Sequence, residues 1–284
     1  MTITRYILFP DIWSIMIRHP VQSLYIGCYP MGATTLINVA VSLIHEDYGF
    51  GGKPFLYAIW CFWWFDVVIS VICCWGLMHI MSVLQLLTNH SDRHSHRQTW
   101  QSHTLERMTA VWLLPVVTLI VASSSGGVLA LPLQKYSPPH ALVTVTVSVF
   151  MVTIGLSLAL MMLTVYLLRL VVYGLPPGAT IISVFLPLGP TGQAGYSILL
   201  AGQSFKSLLP LRYGNSDVLT FSSTGDTINI ICISLAFVLW SLASMWMIFA
   251  LLGVQDVLRQ TRFPFQVPFW GLIFPNVSNW STPF

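Results

Sequence analysis

Apolar positions along this chain collect into seven long runs, and polar positions fall mostly between them. The runs lie near residues 21–44, 54–88, 108–133, 139–173, 179–204, 227–255 and 263–284. A helix needs about 20 apolar residues to cross a bilayer, so each run predicts one span. The second and fourth runs exceed that length and are expected to tilt or to project past the headgroups. The fold class this predicts is an all-α, multi-pass membrane protein with about seven transmembrane helices, its transmembrane domain covering 21–284. Residues 1–20 mix polar and apolar positions. Ile12, Trp13, Ile15 and Met16, near Arg5 and Arg18, predict a short helix on the cytosolic face of the membrane.

The fifth run is unlike the others. Between Ile181 and Ser197 it holds Pro187, Gly189, Pro190, Gly192 and Gly195, with Ser183, Thr191, Gln193 and Ser197 among them. Broken backbone leaves N–H and C=O groups that hydrocarbon cannot satisfy, so it is tolerated only against protein or water. Two readings stand: the wall of a solute pathway, or a kinked packing helix whose glycines admit a close neighbour. Prolines elsewhere follow parity. The first run carries Pro30, the third Pro115 and the seventh Pro275, while the second, fourth and sixth carry none away from their ends. A proline inside a span removes a hydrogen bond and bends the helix. The alternation predicts bent inner helices on odd runs and straight outer helices on even runs, in a two-helix repeat.

Composition agrees with a membrane protein. Charged residues make up 7% of the chain and hydrophobic ones 55%, against about 25% charged in soluble domains; mean hydropathy is +0.76. The net charge of +3 is spread over loops, and no basic, aromatic-interleaved patch points to nucleic acid. Loop charge orients the chain. With a cytosolic N-terminus, Arg5, Arg18, Arg93, Arg97, Arg107, Arg169, Arg259 and Arg262 fall inside, against Lys53, Lys135, Lys206 and Arg212 outside. Cys28, Cys61, Cys73, Cys74 and Cys232 all sit in apolar runs and are expected as small buried residues rather than a disulfide frame. His90, His94, His96 and His103 cluster in the polar stretch from Asn89 to Glu106. They are read as a solvated loop, because a metal site needs ligands held in fixed geometry. No metal or other cofactor is expected.

Two constellations could carry chemistry. Asp66 lies well inside the second run, where a carboxylate must be paired, protonated or beside water. It reads as a proton-responsive group or as an interhelical bond that fixes packing. In the third run Ser123, Ser124 and Ser125 precede Gly126 and Gly127. Those hydroxyls could line a polar passage or bind helices together. A hydrolase would need a serine with a placed base, and neither that nor a G-x-S-x-G elbow is visible, so no enzyme is expected. The odd runs hold almost no fixed charge. A path through them would hold an anion weakly, by hydroxyls and helix N-termini, which suits fast passage. Aromatics such as Phe185 and Phe274 are the natural plugs.

Several motifs occur in a familiar order: Gly27-Cys28-Tyr29-Pro30-Met31-Gly32, Trp63-Trp64-Phe65-Asp66, Pro115-Val116-Val117 with Ala122-Ser123-Ser124, Leu188-Gly189-Pro190-Thr191-Gly192-Gln193, and Phe269-Trp270-Gly271-Leu272-Ile273-Phe274-Pro275. In these the chain resembles the tellurite-resistance/dicarboxylate transporter family, of the voltage-dependent anion channel and malic acid transporter type, and within it the fungal sulfite-efflux branch. The resemblance implies ten helices as five hairpins about a central pore, with kinked odd helices lining it, in a homotrimer. It places the pore gate at Phe274 and the anion path along Pro30, Pro115, Ser123, Ser124, Ser125, Pro187, Gly189, Pro190, Thr191, Gly192, Gln193 and Pro275. The seven runs then correspond to family helices three to nine, so the chain is expected to be a shortened or degenerate member. The implied function is efflux of a small anion, sulfite, across the plasma membrane. A malate carrier is the alternative, and it should want a fixed cation that the odd runs do not offer. A seven-helix receptor fits the span count but not proline on every second helix.

Overall fold

The structure is a computed structural model that describes residues 22–92, 105, 108–176, 178–211 and 216–260. In chain order its α-helices are α1 (Cys28–Val39), α2 (Gly52–Asp92), α3 (Leu114–Leu133), α4 (Pro138–Tyr173), α5 (Leu188–Leu208), α6 (Asp217–Thr220) and α7 (Thr224–Gln260). Among the described residues there is no strand. The all-helical expectation holds, and most predicted boundaries fall within a few residues of the observed ones.

Parity separates the helices. The second, fourth and sixth runs fold as the continuous helices α2, α4 and α7, of 41, 36 and 37 residues. At 1.5 Å per residue each is roughly 55–60 Å long, so each overshoots a hydrocarbon core of about 30 Å. The first, third and fifth runs are composite. A 3-10 helix, Gln22–Gly27, leads into α1; another, Ala110–Leu113, leads into α3; a third, Gly178–Phe185, leads towards α5. The prolines stand at these joints. Pro30 is the third residue of α1 and Pro115 the second of α3, while Pro187 caps α5 and Pro190 is its third residue. The expectation of a bend inside a continuous helix is therefore corrected. The missing proline N–H falls in a first turn, where no intrahelical acceptor exists for it anyway. What breaks each odd span is the change from 3-10 to α geometry.

Among the described residues, five helical stretches are long and apolar enough to cross a membrane: Ser23–Asp47, Gly52–Ile80, Ala110–Leu133, Pro138–Tyr173 and Thr224–Val257. The first of them is α1 with its 3-10 lead-in and a π-helical extension, Ala40–Asp47. α5 is as long as a span but more polar, because of its Thr, Gln, Ser and Gly residues. The seventh predicted run lies outside the described residues. So do the segment 1–20 and most of the histidine-rich stretch beyond Asp92.

The centre of the described bundle is α3. Its most apolar window is 94% buried, against 33% for α2 and for α4 and 28% for α7. α4, α2, α5 and α1 all pack on α3, and α7 packs along α5. A helix that is apolar all round belongs inside. The long even helices instead show apolar stripes outward: Phe62, Phe65, Val68 and Ile72 on α2, Phe150 and Met161 on α4, Phe237 and Val238 on α7. In water such stripes would drive aggregation; in a bilayer they are the lipid face. Cys61 on α2 and Cys28 at the start of α1 are exposed and Cys232 is half-buried, which corrects the expectation that all five cysteines are buried. An apolar run does not say which of its sides meets lipid.

Small residues set the crossings. A Cβ on Gly126 would strike Ser148 Oγ and the Trp63 ring, and one on Gly155 would come within 2.8 Å of Ile120. Between α5 and α7, a Cβ on Gly202 would lie 2.7 Å from Cys232 Cβ. In lipid, helices associate by such close packing and by interhelical hydrogen bonds, since moving apolar surface out of lipid gains little.

Candidate functional site

Three consecutive serines on a helix point about 100° apart, so α3 can offer a hydroxyl to three neighbours at one level. The structure uses all three. Ser123 Oγ lies 2.6 Å from the Ser148 carbonyl on α4 and 2.6 Å from Ser197 Oγ on α5. Its single proton goes to the Ser148 carbonyl, so Ser197 donates to Ser123. Ser124 Oγ donates to the Val121 carbonyl at 2.8 Å and accepts from Gln193 Nε2 of α5 at 2.5 Å. Ser125 Oγ donates to the Thr34 carbonyl of α1 at 3.4 Å. All three serines are fully buried. The three composite odd spans are thus joined at one polar level by hydroxyls and an amide.

The proline joints carry a second recurring device. Thr34 Oγ1 donates to the Met31 carbonyl at 2.7 Å, Thr118 Oγ1 to the Pro115 carbonyl at 2.7 Å, and Thr191 Oγ1 to the Pro187 carbonyl at 3.0 Å. In each odd span a threonine three or four residues past the joint returns its hydroxyl to a carbonyl there. It is the ordinary back-bond of a helical threonine to the preceding turn, made also by Thr144, Thr146, Thr153 and Thr164 on proline-free stretches of α4. Thr118 Oγ1 also reaches the Ser70 carbonyl of α2 at 3.2 Å. The repeat is legible in sequence once known: Pro30 with Thr34, Pro115 with Thr118, Pro187 with Thr191. Pro275 is followed in the same way by Ser278.

Of the sequence-nominated residues, Pro30, Pro115, Ser123, Ser124, Ser125, Gly189, Pro190, Thr191, Gly192 and Gln193 are all buried where α1, α3 and α5 meet their neighbours. Phe185 packs with Ile181, Ile182 and Val184 against Ala250 of α7, so it is a core residue there. Phe274 and Pro275 lie outside the described residues. Asp66 is buried on the face of α2 that meets α3. Trp63 and Ser70, on that same face, touch α3: Trp63 Nε1 donates to the Ala122 carbonyl at 2.9 Å, and the Ser70 carbonyl takes the Thr118 bond. Arg169, counted above as a loop charge, is buried near the end of α4 and donates to the Gly174 carbonyl at 2.6 Å. Sequence reasoning missed Thr34, Ser148 and Ser70. The signal was a polar residue one turn after Pro30 or Asp66. For Ser148 it was only tertiary contact. No metal-holding cluster of His, Cys, Asp or Glu occurs among the described residues.

Buried, hydrogen-bonded hydroxyls thus join helices nearly free of charge inside a shell of outward apolar stripes. The profile of the family described as Voltage-dependent anion channel matches residues 1–280. The chain belongs to this family. The motif resemblance is borne out, and the setting is that of channels and transporters. Among curated relatives, the sulfite efflux pump SSU1 of Arthroderma benhamiae is 34% identical over 97% of this chain. The protein of that name from Trichophyton rubrum is also 34% identical over 97%, and that from Saccharomyces cerevisiae is 21% identical over 94%. The chain spans 65%, 65% and 63% of the length of these three relatives. No solved structure matches it.

Proposed function

We propose that this voltage-dependent anion channel family member moves a small oxyanion, sulfite, outward across the plasma membrane as part of a homotrimer. The observation that carries the proposal is the composite odd helices joined by a hydroxyl level. α1 and α3 contain no Asp, Glu, Lys or Arg, and in α5 the first is Lys206, in its last turn. Hydroxyls and helix N-termini can replace part of an anion's hydration without holding it. Ser123, Ser124, Ser125, Thr191 and Gln193 supply those polar groups. Pro30, Pro115, Pro187 and Pro190 stand at the joints of those spans, Gly189 and Gly192 keep the approach small, and Phe274 with Pro275 is the proposed closure of the path. The relatives' name, sulfite efflux pump, agrees in substrate and direction. In this structure the three serines are buried between helices.

The test is flux. The purified chain in liposomes loaded with sulfite is expected to release it faster than protein-free liposomes do. Malate is expected to leave much more slowly, for want of a fixed cation in the path. Malate release equal to or faster than sulfite release would overturn the sulfite reading in favour of a dicarboxylate carrier. Release no faster than from empty liposomes would overturn transport by this chain.

A further inference from the structure

The membrane-spanning part of α2 holds one acidic side chain, and the packing does not need it. Asp66 is 2% exposed, and neither carboxyl oxygen has a hydrogen-bond partner among the described residues. Ser70, one turn on, is fully buried with its Oγ also without a partner. The face they share is fastened to α3 on either side, by Trp63 to Ala122 and by Thr118 to Ser70. That places the carboxyl within one or two helical turns of Ser123 and Ser124, roughly 5–10 Å along the axis.

Among the described residues, the surrounding ionisable groups do not neutralise it. α3 carries none. The first span offers Tyr25, Cys28 and Tyr29 near this level, all exposed, and His45, Glu46 and Asp47 at its far end. α4 meets α2 through His140, which bonds Tyr57 and stacks on Trp60, more than one turn away. On α2 itself Cys73 lies within electrostatic reach of Asp66, and a thiol brings no positive charge. An ionised carboxylate left in this setting is strongly penalised.

We propose that Asp66, assisted by Ser70, is an exchangeable proton site coupled to the anion path. The carboxyl is protonated while an anion occupies the serine level, and it releases its proton to water in the path when the anion leaves. Ser70 Oγ is then the donor to the carboxylate that remains. An anion about 10 Å away, at an effective dielectric near 20, tightens proton binding roughly tenfold. Reciprocity requires that protonation tighten anion binding by the same factor. Anion and proton therefore favour each other's presence. The coupling half of the proposal rests on the anion path proposed above; the exchangeable proton does not.

Infrared spectroscopy of the chain in lipid tests both halves. At neutral pH the parent is expected to show the carbonyl stretch of a protonated carboxylic acid, absent in Asp66→Asn and shifted in Ser70→Ala. Adding nitrate, which takes up no proton in this range, is expected to raise the pH at which the band disappears by about one unit. No band in the parent, or a band that never titrates, would overturn the proton site and leave a static packing group. A band that titrates identically with and without nitrate would overturn the coupling. Sulfite release from the same liposomes separates the cases, because absent release with a titrating band condemns the transport reading and not the proton site. If Asp66→Asn fails to fold, the shift in Ser70→Ala decides.

Discussion

Trp63→Ala is expected to destabilise the bundle by about 3–5 kcal/mol, the range for removing a large buried aromatic that leaves a cavity. Trp63 is fully buried. Its ring closes the α2–α3–α4 crossing at Gly126, where a single added Cβ would strike it. Its indole N–H holds the Ala122 carbonyl, and its ring meets Trp64 edge-on at 5.0 Å. Deleting it empties the crossing and also frees a carbonyl immediately before the serine triplet. Trp63→Phe keeps most of the volume and loses the hydrogen bond, so its cost should be about 1 kcal/mol. Denaturant titration of the detergent-solubilised chain, followed by tryptophan fluorescence, measures both. A Trp63→Ala chain within about 1 kcal/mol of the parent would show that the crossing is not close-packed as described.

Phe274→Ala is expected to raise anion leak by about tenfold or more, the effect of lowering a barrier by about 1.4 kcal/mol. The reasoning follows from what the path lacks. With no fixed charge in α1 or α3, and none before the last turn of α5, resistance must come from an apolar plug that keeps water out. Phe274 is the plug proposed above, from the resemblance carried by Trp270-Gly271-Leu272-Ile273-Phe274-Pro275. Phe274→Leu keeps an apolar plug of smaller size and should leak less than the alanine variant. The measurement is tracer anion release from liposomes with no imposed gradient. Equal leak from parent, leucine and alanine chains would remove the gate from this residue.

How much of this was readable from residues alone differs by level. Proline parity picked out α3 and α5, which are buried, but not the first span, which carries Pro30 and is 33% buried, no more than α2 and α4. The burial of α3 and the lipid-facing stripes of α2, α4 and α7 agree with it. Parity could not say that the prolines mark a 3-10 to α joint. That depends on residues such as Gln22–Gly27 and Gly178–Phe185, whose composition does not favour one helical geometry over the other. Ser123 to Ser125 stood out as hydroxyls before paired glycines, yet their partners Thr34, Ser148, Gln193 and Ser197 come from three other helices. Partner choice across 25 to 91 residues is set by tertiary register. Asp66 was conspicuous as a carboxylate in an apolar run. That it turns toward α3 and not toward lipid follows from Trp63 and Ser70 on the same face, a detail that only packing fixes.

The central claim is that the joined odd helices enclose a wet path and the straight even ones face lipid. The direct measurement is thiol labelling of the chain in liposomes, its native cysteines replaced, by a water-soluble reagent that cannot cross the membrane. Cysteines placed at Ser124 and Gln193 are predicted to react, more slowly when sulfite is present, while those at Phe65, Phe150 and Phe237 stay unmodified. Reaction confined to the Phe65, Phe150 and Phe237 positions, with Ser124 and Gln193 inert whether or not sulfite is added, would contradict it.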